Sequence, residues 1–446
     1  MKLKHFFKKI TPQFLFSAYH YCLAWIAAFY YRLPARKLII IGVTGTKGKT
    51  TTANFLWAAL NYNGYKTGLI STANIRIGDS EVLNKYHMTM PGRLVSQELL
   101  ADMVRAGCKF CVAEVTSEGI KQWRHKGIFY DIAVFTGLAP EHLEAHGGSF
   151  EEYKKAKGKL FASLAKYKHK ILDGKLVPKM IIANYDSEYK DYFLGFWADR
   201  KITYGFGEGA DFVAKDIKNT PKGVGFSCGL QNYNLNILGD FNVFNSLPAI
   251  ALGTEIKILP ENIKEALAKL EVVPGRMEKI EEGQKFKVIV DYAHEKESMT
   301  ALLETAEKLV QRGKKIIILL GAEGGGRDKA KRPIMGELSG RKADFVIVSN
   351  VDPYEDDPKP ILEDIAEAAE KAGKKRGENL FVIEDRREGI KKALSLAQEK
   401  DLVLITGKGA EQSIVIGGIR YPWDDRQVVK EELRNEVHQQ SVAQTC

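Results

Sequence analysis

Cysteine is scarce in this chain: five residues in 446, at positions 22, 108, 111, 228 and 446. An odd, scattered set excludes a disulfide framework and suits a reducing compartment. Cys108 and Cys111 make a CxxC, but it lies in the strand-like segment KFCVAEV and no second pair accompanies it. Small buried thiols are expected there, in place of a zinc or redox site. Tandem repeats and low-complexity linkers are missing. So is a basic stripe interleaved with aromatics: the net charge of +10 comes from 66 Lys and Arg dispersed among 56 acids. Nucleic acid is therefore not expected as a partner, and the basic balance suits polyanionic substrates such as nucleotides.

At 446 residues the chain exceeds one hydrophobic core, and 45% hydrophobic with 27% charged content fits a soluble globular protein. Its most informative stretch is LIIIGVTGTKGKTTTANF, Leu38 to Phe55. An apolar strand runs into a glycine turn and then at once into a helix, the order a phosphate cradle needs. Gly45 and Gly48 let backbone N–H groups close around an anion. Lys49 supplies a point charge and the Thr50 hydroxyl a Mg²⁺ ligand. Val43 stands where the strict spacing rule wants glycine, but the strand–loop–helix context outweighs it, and a nucleoside triphosphate is the expected ligand.

From Leu38 to about Leu270 apolar runs (Gly68–Ile75, Phe110–Val115, Asp131–Phe135, Lys179–Ala183) alternate with helical periodicity at Thr51–Asn61, Leu94–Ala106 and Phe150–Leu164. That pattern predicts a mostly parallel sheet covered by helices. Phe206–Leu238 has short alternating runs and reads as an antiparallel insertion. After Val273-Pro274-Gly275-Arg276 a second series begins, with strands expected at Phe286–Asp291, Lys315–Leu320, Asp344–Val348, Leu380–Ile383 and Asp401–Ile405, and helices at Ser298–Arg312 and Lys359–Lys371. The fold class is thus α/β: a P-loop central domain over 37–272 and a Rossmann-like domain over 273–446. Residues 1–36 precede them. There FLFSAYHYCLAWIAAFYY, Phe14 to Tyr31, is apolar on every face and flanked by basic residues. Two readings stand for it: a helix packed on the catalytic domain, or a helix in contact with a membrane surface, a true span ranking below both. A signal peptide would strand the triphosphate site away from its nucleotide, so the expected location is cytoplasmic.

In open α/β sheets ligands sit beyond the carboxyl ends of strands. Glu114 ends one strand, His142 follows another and Lys157 lies on the next helix. Beside a triphosphate, oxygen and imidazole donors imply Mg²⁺ or Mn²⁺. Asp291, Asp352, GAEGGGRDKAKRP (Gly321 to Pro333) and GKGAE (Gly407 to Glu411) occupy similar strand ends in the second series, where Arg327, Lys331 and Arg332 could grip carboxylates or phosphates.

GVTGTKGKTTT, FTGLAPEHLEAHGG…YKKAKGKLF, LGDFNVFNSLPAIA, VPGRMEKI, VDYAH and GGGRDKAKRPIMG occur in that order. From about Lys37 to Leu433 the chain resembles the Mur ligases, and within them the MurE type. The resemblance implies an ATP-dependent ligase that adds an amino acid to a muropeptide carboxylate through an acyl phosphate, in peptidoglycan precursor synthesis. It implies ATP contacts at Gly45, Thr46, Lys47, Gly48, Lys49, Thr50 and Thr51, with Asn242 on adenine and Arg276 and Asp291 on phosphate and ribose. Thr50, Glu114, His142 and Lys157 match metal ligands. Lys49, Glu114, His142 and Lys157 match the catalytic set, with Lys157 carried as a carbamate (N6-carboxylysine). Thr89, Pro91, Ser117 and Arg124 match the muropeptide channel, and Asp352, Tyr354, Gly407 and Glu411 fall in the amino-acid end.

Three departures stand out. Only about 36 residues precede the ATP strand, where the family carries a domain for the UDP end of its substrate, so a lipid-linked or nucleotide-free acceptor is an expectation beside the UDP-linked one. Ala410 and Glu118 replace family histidines. Tyr354 replaces the arginine that reads diaminopimelate, with Glu355, Asp356 and Asp357 directly after it, which leads to an expectation of lysine or a similar diamino acid. Two competing readings are a related ligase acting on a folate or an amino-acid polymer, and a nucleotide-dependent scaffold at the membrane.

Overall fold

The run Ile39–Thr44 lies inside an eleven-stranded sheet, parallel to Phe110–Glu114 on one side and Ile132–Phe135 on the other. These strands are buried on both faces, which is why they read as unbroken apolar runs. The computed structural model describes residues 13–140, 143–220 and 222–445. Beyond Phe110–Glu114 come Thr67–Ile70, parallel, and the antiparallel pair Asn74–Ile77 and Ser80–Leu83. Beyond Ile132–Phe135 come Met180–Asn184 and Arg200–Gly205, then the meander Phe212–Thr220, Gly223–Cys228 and Gln231–Leu235, the antiparallel patch expected there. Helices Lys49–Asn61 and Phe241–Glu255 bury one face of this sheet, and Arg93–Arg105 with Phe150–Lys166 bury the other.

One expected strand is divided. Gly68–Ile75 breaks at Ser71, whose Oγ donates to the Asn74 carbonyl at 2.9 Å and whose N–H donates to the same oxygen at 3.0 Å. The chain turns there, and Thr72 is left facing the end of the sheet.

The second sheet has six strands. Lys287–Asp291, Leu402–Thr406, Ile316–Leu320, Phe345–Val348 and Leu380–Val382 are parallel, and Glu278–Ile280 adds an antiparallel edge. Lys296–Leu309, Lys331–Lys342 and Pro358–Lys371 cover one face; Arg386–Ser395 and Asp425–Thr445 cover the other. Each sheet thus closes hydrophobic cores of its own, with Leu238 and Phe241 of the first reaching the core of the second.

Residues Gln13–Tyr30 form a helix whose Ala24, Ala27 and Ala28 are buried, with Trp25 against Phe129 and Tyr21 against Trp123. The Trp123 indole N–H donates to Ser17 Oγ at 2.7 Å. Packing on the large domain is therefore part of the answer for this segment. Among the described residues no helix is long and apolar enough to cross a membrane. Cys108 and Cys111 are free and buried, and burial pushes both thiols up, as expected of inert core residues.

His125 sits buried beneath Trp123, their rings stacked at 6.0 Å. Burial, helped by Lys126, Lys159 and Lys166, pushes its pKa down from 6.5 to about 3. Between these values the unfolded chain holds a proton that the folded chain does not, so stability is full above pH 6.5 and falls as the pH drops. One such group costs ~1.4 kcal/mol per pH unit. Chemical denaturation of wild type and His125→Phe from pH 7 down to pH 4.5 should show the variant losing stability less steeply by that amount; parallel curves would mean the imidazole is protonated in place.

Candidate active site between the two sheets

The loop Gly45–Gly48 leaves the end of Ile39–Thr44 and enters the helix that starts at Lys49. Its shape is held from outside: the Thr46 N–H donates to the Gly137 carbonyl at 2.9 Å, and Thr136 Oγ1 donates to the Lys47 carbonyl at 2.6 Å. Gly48 has φ of +79°, and a Cβ there would lie 2.4 Å from Asn245 Oδ1, so only glycine fits. Lys49 Nζ folds back onto the carbonyls of Gly45 at 3.0 Å and Thr46 at 2.9 Å, which places an ammonium inside the loop's mouth.

Around it lies a cavity of about 910 Å³ walled by both sheets. From the first sheet come Thr46 to Thr51, Glu114, Ser117, Arg124 and Lys157. Glu114 is 1% exposed, and its carboxylate accepts from Thr72 N–H at 2.7 Å and Thr72 Oγ1 at 3.0 Å. Thr72 Oγ1 lies 2.9 Å from Thr89 Oγ1, so the strand break links Glu114 to the expected channel. Lys157, 2% exposed, donates to the Gly45 carbonyl at 2.8 Å with its Nζ over the Tyr153 ring. Arg124 reaches the Met90 carbonyl. Pro91 stands outside the cavity lining, and its carbonyl accepts from Ser96 Oγ at 3.1 Å. His142 lies outside the described residues.

The second sheet supplies the opposite wall. Arg276 donates to Thr50 Oγ1 at 3.2 Å and lies 4.1 Å from the Tyr292 ring centre, which ties the two halves at the loop. Asp291 accepts from the N–H groups of Met277 at 2.7 Å and Ala293 at 2.8 Å, while burial pushes its pKa up. Lys408, fully buried, donates to Asp352 Oδ2 and Glu411 Oε2, both at 2.8 Å. Burial opposes its charge, but Glu411 and Asp352 outweigh that and raise its pKa. Lys331 bridges Glu295 and Glu323, each at 2.9 Å. Burial works against the Glu323 carboxylate, yet Lys331, His294 and Arg327 hold it well below the usual range.

Besides Pro91, three expected residues stand off the cavity. Asn242 is buried and donates to the Leu238 carbonyl at 2.6 Å; Asn245, three residues on in the same FNVFN run, lines the cavity with Phe241 and Phe244. Gly407 shapes its loop from behind, its N–H donating to the Asp291 carbonyl at 3.2 Å. Gly45 likewise stands behind the lining. Of the cations in Arg327–Arg332, Arg327 faces the cavity and Arg332 turns to Asp364 at 2.9 Å. Glu355, Asp356 and Asp357 are outside it as well. Asp356 accepts from the Gly325 N–H, and Asp357 caps the helix Pro358–Lys371. Asp352, Glu411 and Glu323 do line it.

His87 was not legible. It has φ of +53° in the loop after the short hairpin, and its imidazole crosses to the second sheet, 3.7 Å from Asp352 and 3.9 Å from Glu411. Tyr292, whose hydroxyl donates to Glu411 at 3.2 Å, is a second such residue. It stands next to Asp291 in the VDYAH run, the one signal that pointed near it.

The Mur ligase middle domain model matches residues 43–253, and the Mur ligase glutamate ligase domain model matches 275–409. A UDP-N-acetylmuramoyl-L-alanyl-D-glutamate--2,6-diaminopimelate ligase of Geobacillus kaustophilus is 38% identical over 430 residues, 95% of this chain and 84% of its own. This chain belongs to the Mur ligase family. As a Mur ligase it is an ATP-dependent enzyme that forms amide bonds. A solved structure of a ligase bearing the same name aligns with a TM-score of 0.59 at 29% identity, over 90% of this Mur ligase and 79% of that chain. A Mycobacterium tuberculosis folylpolyglutamate synthase with ADP aligns with a TM-score of 0.67 at 18% identity, over 91% and 95% of the two chains, which is likeness of fold alone.

Proposed function

We propose that this ligase joins the amine of a diamino acid to a carboxylate of a muropeptide acceptor. The observation that carries the reading is the shared cavity: the Lys49 loop, Glu114 and Lys157 on one wall, Arg327, Asp352 and Glu411 on the other. Residues 37–272 and 273–446 are read as its two domains, one for phosphate chemistry and one for the amine. ATP with Mg²⁺ supplies the phosphoryl group that turns the acceptor carboxylate into an acyl phosphate. Thr50, Glu114 and a carbamylated Lys157 would hold the metal. The buried, hydrogen-bonded Glu114 and the hydroxyl of Thr50 are hard oxygen donors of the right kind.

The chain's own groups do the rest. Lys49 and the loop amides receive the outer phosphates, and Arg276 brings the second domain onto the same loop. Two walls closing on one cavity exclude water from the activated carboxylate and align the amine with it. At the far end, Asp352 and Glu411 with Lys408 sum to one negative charge, which favours a distal ammonium over a distal carboxylate. Tyr354, in the left-handed region at φ of +57°, offers a carboxylate no charge-assisted bidentate bond.

The named relatives act on diaminopimelate; for this chain we expect lysine to be preferred. The lost bidentate pair corresponds to about tenfold to a hundredfold in kcat/KM. Phosphate release with a muramoyl dipeptide acceptor and either amino acid measures it. Equal values, or a preference for diaminopimelate, would mean that Tyr354 is not the selector; no dependence on any amino acid would overturn the ligase reading itself.

A further inference from the structure

The helix Gln13–Tyr30 packs on the large domain with one face only. Opposite its buried alanines, Leu15, Tyr19, Cys22, Ile26 and Phe29 are exposed, and their spacing of four, three, four and three residues places them on one stripe. Ile26 is 61% exposed, Phe29 63% and the adjoining Tyr30 75%. A continuous apolar stripe of this kind marks a surface that something covers.

Charge says what. Residues 1–37 contain four lysines before position 10, then Arg32, Arg36 and Lys37, and no Asp or Glu. The other 409 residues hold 59 Lys and Arg against 56 acids, a balance of +3, so seven of the ten net charges belong to this short segment. Arg32, Arg36 and Lys37 are exposed just past the carboxyl end of the helix. A second copy packed stripe to stripe would bring two such segments together and be repelled. An anionic surface would be attracted.

We propose that this face lies in the surface of an anionic membrane, with the apolar stripe at the acyl boundary and the flanking cations among the headgroups. The helix lies along the surface because its described residues are not long and apolar enough together to cross. Tyr19 and Tyr30, amphipathic rings on the exposed side, suit the headgroup level. The ligase is thereby held at the membrane without any change to the cavity, which none of these residues lines.

The test uses the intact chain. An environment-sensitive fluorophore on the exposed Cys22, in a Cys446→Ser background, is mixed with phosphatidylglycerol-containing or pure phosphatidylcholine vesicles. A blue shift and co-sedimentation with the anionic vesicles at low salt, both reversed by high salt, are expected. The double variant Ile26→Glu, Phe29→Glu should lose partitioning by roughly a hundredfold, two buried apolar side chains being removed. It should keep its melting temperature and its turnover on soluble substrates. Failure of the intact chain to sediment with anionic vesicles at low salt, or equal binding to neutral ones, overturns the proposal. A lipid-free dimer that the double variant dissociates would assign the face to a second copy and overturn it too. The labelled wild-type chain decides the matter even if the variant does not fold.

Discussion

Lys49→Ala is expected to lower amino-acid-dependent phosphate release about a thousandfold, with the melting temperature moved by only a few degrees. The ammonium is already inside the loop's mouth, held by the Gly45 and Thr46 carbonyls. A nucleotide entering there meets a positioned charge, which needs no reorganisation as negative charge shifts during phosphoryl transfer. The loop keeps its shape without Lys49, because Thr136 and Gly137 brace it independently. Thermal unfolding separates the two effects. Near-normal turnover in a folded Lys49→Ala protein would remove the phosphate assignment from this loop.

Lys157→Ala should cost a hundredfold or more in turnover, on the order of what one lost oxyanion donor or metal-ligating group removes. A buried side chain on the cavity wall, bonded to the loop, has two forms with opposite consequences. As an ammonium it repels a divalent cation; as a carbamate it is an anionic oxygen donor. If the carbamate operates, short carboxylates such as acetate or propionate should restore part of the variant's activity. Labelled bicarbonate should also give the wild-type protein, and not the variant, a carbamate signal by NMR. Full activity in wild-type protein kept free of carbon dioxide, with no such signal, would leave Lys157 as an ammonium that only holds the Gly45 carbonyl.

The parallel strands were legible because burial on both faces leaves continuous apolar runs, and the loop because an anion cradle demands glycine at fixed places. What escaped were features that depend on the other half of the molecule. His87 sits in a loop with no periodicity, and its partners Asp352 and Glu411 arrive from a separate sheet. The break at Ser71 hides in an apolar run because a serine side chain, and not a glycine or proline, closes the turn. Among the clustered cations, helix phase decides: Arg327 precedes the helix and faces the cavity, whereas Arg332 is carried on it toward Asp364. The three acids after Tyr354 led to the expectation of a negative amino-acid site, yet none of them lines the cavity. Asp356 and Asp357 serve the local backbone, and the carboxylates of Asp352, Glu411 and Glu323 reach the cavity from strand ends on either side.

The two walls of the cavity belong to sheets with largely separate cores, joined where Leu238 and Phe241 of the first pack into the core of the second. Polar side chains cross between them at Arg276 beside the loop, at His87 toward Asp352 and Glu411, and at Lys308 toward Asp240. An inheritance of this kind is modular. On the roles proposed above, the half that would select the amine is free to drift, or to be exchanged for a relative's, while the half that would spend the triphosphate stays as it is. On those roles, a graft that exchanges everything after Val273, keeping the arginine at 276 and the residues that meet Leu238 and His87, would carry its own amine preference onto the same phosphoryl-transfer half.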